Sequence, residues 1–240
     1  MCQFCGVASH GLSRRALFGG GLAALALAGS AMSRSAWAAS DAAVPGIPGD
    51  EALRRIMAGN ARYVGNHPTQ RDFSTGRAER LTTQRPIAAV LSCADSRVAP
   101  EFAFDEGPGQ LFVIRVAGNI LDDDGAASLE YAVRFLGVRL AMVLGHRNCG
   151  AVDAAIKVVK DGATLPGHLP GLIDAIKPAV LAAAATKPTD LAAAATVENV
   201  RQTMHRIAAS TPILSEAASS GQLKVAGGVY DLANGKVNLV

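Results

Sequence analysis

The sequence predicts an α/β fold, with a mostly parallel β-sheet flanked by helices. Three observations carry this expectation. Short apolar runs stand at Ile87–Ser92, Leu111–Val116 and Leu140–Leu144. Such unbroken runs suit strands buried on both faces of a parallel sheet. They alternate with helical segments in the order strand, loop, helix, strand, loop, helix. The first and third runs each end at a cluster of polar, chemically capable residues. In parallel sheets, sites form in loops at the carboxyl ends of strands.

The elements follow in chain order. Asp50 is a candidate N-cap for a helix over about Glu51–Val64, where Leu53, Ile56, Met57 and Tyr63 recur near helical spacing. Asn66–Gly76 is polar and reads as irregular, with a brief helix expected before Pro86. After the second strand, Asp122–Gly125 reads as a loop and Ser128–Leu136 as a helix. Ala151–Val159 is helical after the third strand. Leu165–Ala218 is Ala-rich and helical, with Pro166, Pro170, Pro178, Pro188 and Pro212 marking turns or helix starts. Leu223–Ala226 and Val229–Leu232 read as two strands. Asn234-Gly235 is a tight turn before Val237–Val240.

Composition fits one globular domain. The chain has 240 residues, 50% hydrophobic and 18% charged, enough apolar material for a core. Aromatics are only 5%, so Ala, Val, Leu and Ile must build that core. The net charge is +3, partly from Arg14, Arg15 and Arg34 near the start. No basic face interleaved with aromatics asks for nucleic acid.

Residues 1–38 read as an export signal, with the domain at 39–240. Ser13-Arg14-Arg15 precedes a weakly apolar stretch from Ala16 to about Met32, and Ala36-Trp37-Ala38 offers the small residues of a cleavage site. Leu17 and Phe18 complete a likeness to a twin-arginine signal. The stretch carries Gly19, Gly20, Gly21 and Gly29 and is too short for a good membrane span; an uncleaved anchor is the alternative. The signal implies the twin-arginine machinery as a partner and a periplasmic or extracellular location. Cys2-x-x-Cys5 with His10 lies ahead of it and would be lost on cleavage.

The chemistry gathers in Cys93-Ala94-Asp95-Ser96-Arg97 and His146-Arg147-Asn148-Cys149-Gly150. Zinc takes thiolate sulfur and imidazole nitrogen in tetrahedral geometry, and three protein ligands leave one position for water. His146 and Cys149 can reach one ion from a tight loop or helix start, with Cys93 arriving from another strand end. A structural zinc, two unrelated polar loops or a single Cys93–Cys149 bridge would use the same residues.

From about Glu51 to the C-terminus the chain resembles the β-carbonic anhydrases. The matching stretches are Ala58–Tyr63, Cys93–Val98, Pro108–Arg115, Ala117-Gly118-Asn119, Ser128–Ala132, Gly145–Gly150 and Tyr230-Asp231-Leu232 with Gly235. The resemblance implies one Zn2+ per subunit on Cys93, His146 and Cys149, an Asp95–Arg97 dyad, and a homodimer or larger homo-oligomer whose pockets the neighbours complete. It implies reversible hydration of carbon dioxide to bicarbonate and a proton by hydroxide formed on zinc. Asp95 would orient that hydroxide, or become a fourth ligand in a closed state. Gln84, Phe112, Ala117 and Tyr131 match the substrate pocket of the open, plant-like members, with Gly150 beside it. Phe112 and Tyr131 suit plain core packing equally. Arg147 departs from the small residue common in the family, and could perturb charge near the metal or bind an anion. His168 and His205 are candidates for moving protons, or surface residues.

Three rivals remain at this level. A related zinc hydrolase would attack carbon disulfide or carbonyl sulfide with the same ligands. A non-catalytic zinc module would need neither Asp95 nor Arg97. A hydrolase could use Cys149 as nucleophile with His146.

Overall fold

The computed structural model describes residues 46–240. The expected signal over residues 1–38, Cys2, Cys5 and His10 lie outside the described residues.

The described residues open with helix α1, Gly49–Val64, two residues longer than a cap at Asp50 would allow, because Pro48 takes the N-cap place. A short α2 follows at Arg77–Arg80. Strand β1 is Ala88–Ser92, α3 is Pro100–Ala103 and β2 is Leu111–Arg115. A 3-10 turn at Ala117–Asn119 leads to α4, Asp123–Leu136. Next come β3, Leu140–His146, and α5, Gly150–Asp161. The Ala-rich region forms α6 (Leu169–Asp174), α7 (Lys177–Ala185), α8 (Leu191–Ala209) and α9 (Ile213–Ser219). Strands β4, Lys224–Tyr230, and β5, Val237–Leu239, close the chain.

The five strands lie in the order β2-β1-β3-β4-β5. All neighbours are parallel except the last pair. Every residue of β1 and β3 is buried, as expected for central strands covered on both faces. Alternate residues feed two cores. Ala88, Val90, Leu140, Met142 and Leu144 pack with Ile56 of α1. Ala89, Leu91, Ala141 and Val143 pack with Leu129, Val200 and Leu214 of the opposite helices. This is the expected fold class.

Three further boundaries differ from the sequence reading. The acidic run belongs to a helix start, not to a loop. Asp122 caps α4 by accepting the Gly125 N–H at 2.7 Å, and Asp123 and Asp124 sit in the first turn, where the helix dipole favours anions. Strand β3 runs on through His146. β4 is one strand, not two, because Gly227 and Gly228 let neighbours close on it. A Cβ on Gly227 would lie 2.3 Å from Met204 Sδ, and one on Gly228 2.7 Å from Val237 Cγ1.

Asn60 ties the first helix to the last strand. Its amide donates to the Ala103 and Gly235 carbonyls at 2.8 and 2.9 Å, and its carbonyl accepts the Val237 N–H at 2.9 Å. Each polar atom of this buried side chain is thus satisfied. Among the described residues, no helix is long and apolar enough to cross a membrane.

Candidate functional site

The site forms where β1 and β3 end side by side. Ser92 pairs with Leu144 in register, so Cys93 emerges alongside Gly145 and His146. Asn148 turns the chain with φ at 54°, a value asparagine tolerates better than most residues. Cys149 then serves as the N-cap residue of α5. His146 therefore reaches the site from a strand end and Cys149 from a helix start.

The three ligand atoms lie within 4.8 Å of one another, and all three residues are buried. The Cys93 and Cys149 sulfurs are 4.0 Å apart, and both thiols are free. A disulfide would need about 2.05 Å. Two sulfurs bound tetrahedrally at about 2.3 Å from one zinc would stand about 3.8 Å apart. His146 pairs its Nδ1 with the Arg147 carbonyl at 2.9 Å, which assigns the proton to Nδ1. That leaves the Nε2 lone pair buried with no hydrogen-bond partner. A buried polar atom without a partner is costly unless a ligand takes it. The residues present fit a zinc ion on Cys93, His146 and Cys149.

The two thiols are unequal before any metal binds. The hydrogen bond from Cys149, aided by the Gly118 N–H, holds the Cys93 thiol well below its ordinary range despite burial. The Cys149 thiol is pushed up, mainly by sharing its proton with Cys93.

Asp95 borders this group. Its Oδ2 is 3.7 Å from His146 Nε2. Arg97 grips it bidentately, Nε to Oδ1 and Nη2 to Oδ2, and the Arg97 backbone N–H adds a bond to Oδ1. The Arg97 hydrogen bonds hold the Asp95 carboxyl well below the usual carboxylate range. Arg115 steadies the same loop from β2, donating to the Cys93 carbonyl at 3.0 Å and the Asp95 carbonyl at 2.7 Å. Sequence reading missed Arg115, although it falls in one of the matching stretches.

The remaining expected site residues separate into two places. Ala117 lies in the 3-10 turn beside Gly118, whose N–H meets the Cys93 sulfur, and Gly150 opens α5 next to Cys149. Phe112 and Tyr131 face each other with ring centroids 6.3 Å apart. Gln84 and Tyr131 line a cavity of about 540 Å³ with Arg85, Gly109 and Leu136. None of the three metal-site residues lines it. Gln84 precedes the N-terminal end of β1, while Cys93 follows its C-terminal end. Five strand residues span about 16 Å, so the chain does not bring Gln84 to its own metal centre. Arg147 pairs with Asp190, the N-cap of α8, at 3.2 Å. His168 and His205 are exposed and stand outside the ligand group.

Comparison with known proteins adds to this geometry. The family described as "Carbonic anhydrase" matches residues 88–237, a span that holds all three ligands. "Carbonic anhydrase 2" of Mycobacterium tuberculosis is 36% identical over 191 residues, covering 78% of this chain and 91% of that protein. The carbonic anhydrase of Mycolicibacterium smegmatis is 34% identical with the same coverage. Among solved structures, the β-carbonic anhydrase CcaA matches with a TM-score of 0.60 at 27% identity, over 78% of this chain and 94% of that one. The Coccomyxa β-carbonic anhydrase in complex with acetazolamide matches with a TM-score of 0.61 at 27% identity, over 80% and 82%. Ligand geometry, sheet order and relatedness converge: the chain belongs to the carbonic anhydrase family, in its β class.

Proposed function

We propose that this chain interconverts carbon dioxide and bicarbonate at a zinc ion held by Cys93, His146 and Cys149. One observation carries the assignment. Three buried ligand atoms converge within 4.8 Å, and an ionised, arginine-clamped carboxylate stands at their edge. A purely structural zinc would need no such carboxylate.

When bound, zinc supplies Lewis acidity that brings the ionisation of water from about 15.7 down towards neutral pH. The protein supplies the rest. His146 presents Nε2 because the Arg147 carbonyl holds its other nitrogen. Asp95 accepts a hydrogen bond from the attacking oxygen and so aims its lone pair. Arg97 engages both carboxylate oxygens, keeping Asp95 ionised and away from the metal. That pairing supports an open site near neutral pH, with Asp95 a fourth ligand only if the dyad breaks. Ala117 and Gly150 offer small walls beside the ligands for an apolar substrate.

Gln84, Phe112 and Tyr131 act on substrate from the neighbouring subunit in this reading, which makes a homodimer or larger homo-oligomer the working unit. What supports it is the separation of Gln84 from its own chain's ligands by the length of β1. A mixed assembly tests it. Chains carrying Gln84→Ala and chains carrying Asp95→Asn are each deficient alone. Mixed, they regenerate one intact site per dimer if Gln84 serves across the interface. No recovery would mean that Gln84 does not act across the interface and would overturn this reading.

Residues 1–38 act as a twin-arginine export signal in this reading, delivering the domain at 39–240 to the periplasm or beyond. Arg14→Lys with Arg15→Lys should leave the protein in the cytoplasmic fraction; unchanged export would reject the signal.

Stopped-flow carbon dioxide hydration with metal analysis tests the central proposal. The expected result is stoichiometric zinc with hydration activity. Stoichiometric zinc without activity across roughly pH 6–9, the range in which such water ionises, would overturn it.

A further inference from the structure

We propose that Asn199, on α8, is a positioning residue for the metal ligand Cys93. The inference rests on the zinc reading above and adds a residue to it.

Asn199 is 3% exposed. Its Nδ2 donates to the Gly118 carbonyl at 2.7 Å, across 81 positions of sequence. The N–H of that same Gly118 donates to Cys93 Sγ at 3.3 Å. Gly118 is left-handed, φ 73° and ψ 14°. This conformation sends its carbonyl towards α8 and its N–H towards the sulfur.

Glycine has no intrinsic preference that would hold it there, since it populates positive and negative φ about equally. The lock must come from outside. Sterics supply one side: a Cβ on Gly118 would lie 2.5 Å from Ile176 Cδ1 and 3.2 Å from Ala151 Cβ. Those side chains close on the residue without directing its peptide groups. Asn199 supplies the directed contact. Ala151 follows Cys149 by two positions, so the turn that holds one sulfur also packs against the helix that bears the other.

The hydrogen bond to Cys93 Sγ has two effects on a ligand. It fixes the side-chain rotamer and so aims the sulfur at the group shared with His146 and Cys149. It also draws electron density from the sulfur, which tunes how strongly the thiolate donates to a metal. Other polar residues on the buried side of α8 do not reach the turn in this way. Thr196 is buried as well, but its hydroxyl bonds back to the Ala192 carbonyl of its own helix at 2.8 Å. It is a burial-matched control.

The test compares Asn199→Ala with Thr196→Ala in the full chain, using zinc and cobalt(II) as probes. Zinc transfer to a chromophoric chelator should be about 10- to 100-fold faster in Asn199→Ala, the range for lost outer-shell support of a ligand. The thiolate-to-cobalt charge-transfer band should move to lower energy as the sulfur loses its N–H partner. Thr196→Ala should keep the wild-type rate and band. A folded Asn199→Ala with both readouts unchanged, or Thr196→Ala with both changed equally, would overturn the proposal. If Asn199→Ala does not fold, wild-type protein loaded with NMR-active cadmium decides. Scalar coupling across the hydrogen bond from the Asn199 side-chain nitrogen to the Gly118 carbonyl carbon, together with coupling from the Gly118 amide proton to the metal, supports the link, and absence of either overturns it. Wild-type protein that retains none of these metals would instead reject the zinc reading itself.

Discussion

Arg97 meets Asp95 edge to edge, with Nε to Oδ1 at 2.9 Å and Nη2 to Oδ2 at 2.7 Å. The same Nη2 reaches the Asn148 carbonyl at 3.2 Å. One guanidinium thus joins the loop carrying Cys93 to the loop carrying His146 and Cys149. Lysine offers a point charge and cannot reproduce this fork.

Arg97→Lys should therefore lower kcat/KM about 10- to 100-fold, as removal of outer-shell support commonly does. Zinc content should stay stoichiometric, because Arg97 is not a ligand. Stopped-flow rates alongside metal analysis check both halves. Full activity in Arg97→Lys would show that charge alone suffices.

A second carboxylate has a purely structural task. Asp105 is 3% exposed and is held by Arg62, Arg71, the Thr69 hydroxyl at 2.7 Å and the Thr69 N–H. Burial alone would raise its pKa, but these partners together hold it well below the carboxylate range. A depressed folded-state pKa gives stability that is complete above the unfolded value of about 3.9 and fades as pH falls below it. Asp105→Asn should cost about 3 kcal/mol, the low end for breaking a buried pair, since both arginines keep some solvent contact. That gap should be flat from pH 5 to 8 and shrink below about pH 4. Urea unfolding at several pH values measures it, and a gap that grows in acid would contradict the assignment.

The central strands were legible because burial on both faces leaves unbroken apolar runs in β1 and β3. The ligands were legible because each sits within a few residues of a strand end. Beyond that, local pattern misleads. Gly227-Gly228 looks like a break but marks close packing against Met204, Val200 and Val237. Asp122–Asp124 looks like a solvated loop but caps a helix. Asn199 carries no local signal, and Asp190 only that of a helix cap, because their partners Gly118 and Arg147 lie 81 and 43 positions away. Only tertiary packing puts them together.

The thiols give a direct view of metal loading. Both are buried, and a bound metal would block them further. Alkylation of the zinc-loaded protein should be slow. After chelation both thiols should be alkylated much faster, because a thiolate freed of metal is the nucleophile. Peptide mapping over time follows each sulfur. Equal labelling with and without chelator would mean that neither sulfur was ligated.

Two glycines make opposite predictions. A Cβ on Gly59 of α1 would lie 1.8 Å from the Phe104 carbonyl oxygen, a backbone atom that cannot step aside. Gly59→Ala should destabilise the fold by about 3 kcal/mol, the upper end for overpacking. A Cβ on Gly150 would meet nothing within 4 Å. Gly150→Ala should leave stability equal or higher by up to about 1 kcal/mol, since alanine suits a helix better. If the open space beside Cys149 is where substrate sits, the same methyl should lower kcat/KM about 10-fold, the scale on which a pocket resolves one carbon. Thermal unfolding and hydration rates on the two variants separate a glycine kept for packing from one kept for access. A stable Gly150→Ala with wild-type turnover would remove Gly150 from the substrate pocket.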